Sequence, residues 1–286
     1  MGVFIMKKEI YMIIFMAVSL ITIGCYMYNA DHSSIGTASD SDPVISAGQA
    51  VLTDGETGKI LYEKSADEKA YPASTTKIMT ALVTLENLEK YDSPITQTVE
   101  VPAEAAGVEG SSLYLAAGEK ISMEDLLYGL MLVSGNDAAT ALACIIGGTQ
   151  ENFVSMMNDK AAELHCNNTH FTNPSGLFDE DHYTTARDMA VIAREAMKDP
   201  TFRKIVAAKD HKAQRTDSDY RTFHNKNKTI FQYDGGTGIK IGYTKASGRT
   251  LVASAERDGR SMICVVMSAP DWFQDAYKLM DYGFDR

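Results

Sequence analysis

The sequence predicts an α+β fold, an antiparallel sheet with its helices gathered apart from the strands. Three observations predict it: a hairpin pattern near residue 50, helical periodicity from 72 to 197, and strand patterns again past Arg215.

In order, residues 47–52 and 59–62 are apolar runs on either side of Asp54-Gly55-Glu56-Thr57-Gly58, a hairpin signal. Pro72-Ala73-Ser74 opens a helix in which Ile78, Leu82, Leu85 and Leu88 recur at spacings of three or four. Residues 121–133 and 138–146 read as helices separated by Ser134-Gly135-Asn136, and 151–164 as another, rich in Met and Ala. Thr185, with Asp188 three residues on, is an N-cap for a helix running through Met197. Residues 238–244 read as a strand, and 251–256 and 261–267 as a hairpin around Arg257-Asp258-Gly259-Arg260. Pro270 opens a last helix toward Tyr282, and no internal repeat is visible.

The N-terminus has a different character. Lys7 and Lys8 precede an apolar run over 10–24, and small or polar residues follow over 29–41, the layout of a secretory leader. Residues 1–28 are therefore expected to be a signal peptide or N-terminal membrane anchor, 29–43 a linker and 44–286 the folded domain. Three fates of the leader stay open. The apolar run rises roughly 22 Å as a helix, short of a bilayer core of about 30 Å, and reaches about 28 Å if 25–28 are included. Thr22-Ile23-Gly24 suits a signal peptidase, and Gly24-Cys25 resembles the end of a lipoprotein signal, although Thr22 stands where such signals carry Leu.

A net charge of -11 in 286 residues disfavours a nucleic-acid partner, which needs clustered Lys and Arg. After Cys25, the cysteines are Cys144, Cys166 and Cys264, an odd number that argues against a disulfide framework. Cys144 and Cys264 lie in apolar runs and are expected to be buried. No spacing points to a metal site, and no cofactor is expected.

Three short strings carry the chemistry: Ser74-Thr75-Thr76-Lys77, Ser134-Gly135-Asn136 and Lys240-Ile241-Gly242. Singly they are an N-cap with a solvated Lys, a helix end, and an edge strand with a Gly bulge. Their settings (helix start, gap between helices, strand) are those of active-site serine penicillin-recognising enzymes. Ser74 at a helix start lies near the positive end of the macrodipole, and Lys77 follows one turn along the same face. A neutral Lys77 can take the Ser74 proton, and burial with a second cation would keep it neutral. Lys240 is the expected second cation, itself remaining charged to meet a substrate carboxylate. Ser134 is placed to relay a proton to a leaving amine, and Asn136 to hold a substrate amide. Gly242 lets a ligand backbone approach, and the N–H groups of Ser74 and Tyr243 form an oxyanion hole. Thr244 offers a further hydroxyl.

Over roughly 45–286 the chain resembles the low-molecular-mass penicillin-binding proteins that are D-Ala-D-Ala carboxypeptidases, serine peptidase family S11. The likeness rests on Tyr71-Pro72-Ala73-Ser74-Thr75-Thr76-Lys77-Ile78-Met79-Thr80, Leu132-Val133-Ser134-Gly135-Asn136-Asp137-Ala138-Ala139, Phe171-Thr172-Asn173-Pro174-Ser175-Gly176-Leu177 and the segment 238–248. The resemblance implies a β-lactamase/transpeptidase-like fold with a helical subdomain. It also implies that Ser74 is acylated and then hydrolysed, releasing terminal D-Ala from peptidoglycan stem peptides, with β-lactams as covalent inhibitors. Such an enzyme works at the extracytoplasmic face of the cell membrane.

Two departures stand out. Ile241 occupies a position where the family usually has Thr, and the chain stops at Arg286 where many members continue into a β-rich domain with a membrane-binding helix. The expected tether is therefore N-terminal or absent. Two rival readings are a class A-like β-lactamase, which needs a Glu in a Glu-x-x-x-Asn setting to activate the deacylating water, and a non-catalytic penicillin-binding sensor, which Ile241 keeps open.

Overall fold

The computed structural model describes residues 42–215 and 220–286. The expected leader over 1–28, and the linker up to residue 41, lie outside the described residues. Strand β1 (Gln49–Asp54) and β2 (Ile60–Lys64) form the first hairpin, whose turn is closed by the Asp54 carboxylate accepting the Thr57 N–H at 2.7 Å. A 3-10 turn, Ala73–Thr76, leads directly into helix α1 (Lys77–Lys90). Strands β3 (Thr98–Glu100) and β4 (Lys120–Ser122) pair as a short ribbon. Ser122 then caps α2 (Met123–Tyr128), accepting the Asp125 N–H at 3.0 Å.

The stretch 121–133, expected as one helix, is therefore a strand end, a helix and then a π-helical segment, Gly129–Val133. After Ser134 and Gly135 come α3 (Asn136–Gly147), α4 (Gln150–Glu163) and α5 (Ala186–Ala196), the last capped by Thr185, which accepts the Asp188 N–H at 3.0 Å. Helix α6 (Pro200–Ala207) was not expected from periodicity. Its start is written in Asp199-Pro200, a carboxylate cap accepting the N–H groups of Thr201 and Phe202 followed by Pro at the first helical position. Strands β5 (Asp210–Lys212) and β6 (Thr222–His224) make a second ribbon, and α7 (Thr229–Gln232) precedes β7 (Gly236–Thr244), β8 (Gly248–Arg257) and β9 (Arg260–Met267). Helix α8 (Trp272–Phe284) closes the chain.

The main sheet is antiparallel in the order β2-β1-β9-β8-β7, within a compact unit spanning Pro43–Arg286. Strand alternation sorts its side chains into two layers. Val252, Ile263 and Val265 face the large helical layer with Ile78 and Leu82, whereas Leu251, Ala253, Cys264 and Val266 face α8 through Leu279 and Met280. Cys264 is buried as expected, but Cys144 keeps a partly exposed side chain near the end of α3. The sheet ends at β7, and that edge lies beside the 3-10 turn that carries Ser74.

Candidate active site

The turn carrying Ser74 is held from both sides. Ala73 sits in the left-handed region at φ +47°, which for a residue with a Cβ costs about 1–3 kcal/mol unless its surroundings enforce it. The enforcement is visible at Pro72, whose carbonyl accepts the Thr75 hydroxyl at 2.7 Å and the β8 hydroxyl of Thr250 at 3.1 Å. On the other side Gly176, at φ +83°, packs so closely that a Cβ there would lie 1.9 Å from the Ala73 oxygen. Gly242 of β7 meets the same turn, where a Cβ would stand 3.0 Å from the Ser74 nitrogen. What Gly242 admits here is the chain's own Pro72–Ser74 turn, whereas the expectation concerned a ligand backbone.

Lys77 is fully buried at the start of α1. Its Nζ lies 3.1 Å from Ser74 Oγ, 2.7 Å from Asn136 Oδ1 and 2.6 Å from the Ser175 carbonyl oxygen. The Asn136 amide is oriented by its own Nδ2, which donates to the Glu109 carbonyl at 2.7 Å. Ser175 is presented by Asn173, whose Oδ1 accepts the N–H groups of Ser175, Gly176 and Leu177. Burial holds the Lys77 amine well below the usual lysine range, the charge of Lys240 adds to the effect, Asp137 opposes it, and Lys226 adds further. A neutral amine has two N–H donors and one lone pair. Both neighbours other than Ser74 are pure acceptors, so the two donors go to them and the lone pair is left facing the Ser74 hydroxyl. That is the arrangement of a serine nucleophile with its base.

Lys240 is also buried, on the same face of β7 as Gly242, with Nζ donating to the Ile241 carbonyl at 3.0 Å. Its expected permanent charge needs correction. Burial, helped by Lys226, brings its pKa to about 7, so near neutrality the unliganded site holds it only partly protonated. A carboxylate placed against it would raise that value and fix the charge. Ile241 and Tyr243 alternate to the other face: Ile241 packs against the apolar cluster under α8, and the Tyr243 side chain is exposed.

Ser134 stands at the end of the π-helical segment in a left-handed conformation, φ +68°, buried and outside the hydrogen-bond set of Lys77. Thr244 is not gathered with the cluster: its hydroxyl and that of Ser247 bond each other at 2.9 Å within the β7–β8 turn. Four neighbours were given no role from sequence, although Asp137 and Asn173 stand within the strings that carry the family resemblance. Asp137 accepts the N–H groups of Leu113 and Leu115 and shapes the loop beside Asn136. His182 accepts the Thr172 N–H at Nδ1, so its proton is on Nε2, which donates to Thr76 at 2.8 Å. Asn173 and Lys226 complete the set. Among the described residues, no group of three or more potential metal ligands is found, and no helix is long and apolar enough to cross a membrane.

Comparison with known proteins follows the same lines. The profile of the peptidase S11 family, described as D-alanyl-D-alanine carboxypeptidase, matches residues 36–271. DacF of Bacillus subtilis (strain 168), a D-alanyl-D-alanine carboxypeptidase, is 38% identical over 244 residues, 84% of this chain, which spans only 62% of that protein's length. The D-alanyl-D-alanine carboxypeptidase of Streptomyces sp. (strain K15) is 35% identical over 284 residues, 94% of this chain and 97% of its own. Among solved structures, the Streptomyces K15 DD-transpeptidase superposes with a TM-score of 0.79 at 34% identity, covering 86% of this chain and 100% of that one. The carboxypeptidase DacD from Francisella tularensis gives a TM-score of 0.80 at 30% identity, over 87% of this chain and 73% of that one.

Proposed function

The chain belongs to the S11 family of D-alanyl-D-alanine carboxypeptidases, and we propose that it is a serine-type enzyme removing the terminal D-Ala from peptidoglycan stem peptides. The observation that carries this is the 3.1 Å approach to Ser74 of a buried Lys77, whose burial disfavours its charged form and whose other two partners are both acceptors.

In the proposed reaction the Ser74 oxygen attacks the carbonyl carbon of the penultimate D-Ala while its proton passes to Lys77. The oxyanion is held by the N–H groups of Ser74 and Tyr243, and the terminal carboxylate by Lys240. Asn136 binds the substrate amide through the face that Lys77 leaves free. As the C–N bond breaks, Ser134 passes the proton from Lys77 to the leaving D-Ala amine. Water then hydrolyses the ester and frees Ser74. A β-lactam follows the first half of this path, and its ring-opened acyl group stays on Ser74. The rival β-lactamase reading has little support: the Glu-x-x-x-Asn string between Asn136 and Lys240, Glu163 to Asn167, lies at the end of α4 with both residues exposed and Glu163 paired with Lys160.

The enzyme is further proposed to be exported and held at the extracytoplasmic face of the membrane through residues 1–28, on the strength of Lys7, Lys8 and the apolar run after them. Intact mass after incubation with penicillin tests the reaction. An adduct on the wild type, none on Ser74→Ala, and D-Ala release from a D-Ala-D-Ala peptide are expected. An adduct that persists on Ser74→Ala sinks the assignment, and an adduct without D-Ala release favours a sensor.

A further inference from the structure

One charged group in the site is left unused by this mechanism. Lys226 lies between β6 and α7, exposed along its stem, and it is bonded twice to the segment that delivers Ser134. Its backbone N–H donates to the Leu132 carbonyl at 3.1 Å, and its Nζ donates to the Val133 carbonyl at 2.9 Å. Val133 is the residue immediately before the left-handed Ser134, and Asn136, two residues after Ser134, is the direct partner of Lys77.

We propose that Lys226 is a positioning residue of the active site: its ammonium, docked on the Val133 carbonyl, secures the turn bearing Ser134 and sets a positive charge toward the two buried lysines. A carbonyl at the end of a helical segment has no partner within the helix, so a cation there is favoured twice, by hydrogen bonding and by the local dipole. The charge also has a chemical use. It disfavours a proton on Lys77 and on Lys240, and so helps to keep the lone pair available to Ser74. The other charged or titratable groups facing Lys77 are Lys240 on β7, Asp137 on α3, which acts in the opposite sense, and His182, which is neutral near pH 7.

The inference rests on the serine-enzyme reading, and its test separates the two. The rate of Ser74 labelling by a fluorescent penicillin is followed from pH 5 to 9 for wild type, Lys226→Gln, Lys226→Met and Lys226→Arg, with thermal melts alongside. Lys226→Gln retains a donor for the Val133 carbonyl without the charge. Its acidic limb should move to higher pH, slowing labelling by about tenfold at pH 6 for the loss of one nearby charge. Lys226→Met should show the same shift and a lower plateau, and Lys226→Arg should restore the wild-type limb. Coincident acidic limbs for wild type and Lys226→Gln would overturn the proposal, whatever happens to the plateau or the melting temperature. Absence of labelling on the wild type at every pH would instead remove the reading on which it rests.

Discussion

Replacing Lys240 by Met should leave a more stable and much less active protein, with a gain that depends on pH in a defined sense. The Lys240 ammonium is buried, and the fall of its pKa from 10.5 to about 7 is caused first by desolvation and then by the charge of Lys226. At about 1.36 kcal/mol per pH unit, that fall corresponds to about 5 kcal/mol of opposition to folding at neutral pH and below. In the unfolded chain the amine holds its proton up to about pH 10, whereas in the fold it releases it near 7. Between these values the unfolded state binds more protons, so the stability of the wild type rises with pH. Lys240→Met removes this dependence and the hydrogen bond to the Ile241 carbonyl, the latter worth about 1 kcal/mol. The variant should therefore be about 3–4 kcal/mol more stable than wild type at pH 7, and the advantage should shrink by about 1.4 kcal/mol per pH unit toward pH 10. Urea unfolding of both proteins at pH 7, 8 and 9 measures this, and penicillin labelling should fall about 10- to 150-fold for loss of a charged contact. A variant no more stable at pH 7, or an advantage that stays constant with pH, refutes the reasoning.

Three further outcomes follow from other contacts. Burial pushes His182 down to about 4, against 6.5 when exposed, so stability should drop as pH falls from about 6.5 to 4, by about 3 kcal/mol; urea unfolding of wild type against His182→Gln should show that drop only in the former. Gly176→Ala places a Cβ against the Ala73 oxygen and should lower stability by more than about 3 kcal/mol and the labelling rate with it, as read by thermal melts and labelling. Asn173→Ala removes the acceptor of three N–H groups and releases the Ser175 carbonyl from Lys77, which should slow acylation about 10- to 100-fold. A rate within twofold of wild type for Asn173→Ala would show that Lys77 is oriented without that loop.

What could be read in the sequence depended on the range of the interaction. The hairpin at Asp54–Gly58 and the Thr185 cap are decided within a few residues, and the structure forms both. The Ser74–Lys77 pair is also local, one turn of chain, and its contact follows from spacing. The partners that make Lys77 a base are 59 and 98 residues away, and no local pattern points from Lys77 to the Ser175 carbonyl. Lys226 lies in a polar string without a motif, so its docking on Val133 appears only once β6 is folded. The ionisation of Lys240 is beyond local sequence for a related reason: alternation places it on the buried face of β7, but the degree of desolvation is set by the whole helical layer. Thr244 shares that face and still turns its hydroxyl to Ser247, because the β7–β8 turn completes a local hydrogen-bond ring first.

The π-helical segment before Ser134 has a further consequence for length variation. A π turn holds one residue more than the α turn it replaces, and each residue of an α-helix rotates its successors by about 100°. Gly129–Val133 therefore acts as a built-in insertion that sets the azimuth of everything after it. Deleting one residue between Leu130 and Leu132 would let α2 continue with regular bonding and turn Ser134 and Asn136 away from Lys77. The shortened chain would contain a better helix and a poorer catalyst. Length changes in this stretch should for that reason be tolerated far less by the reaction than by the fold.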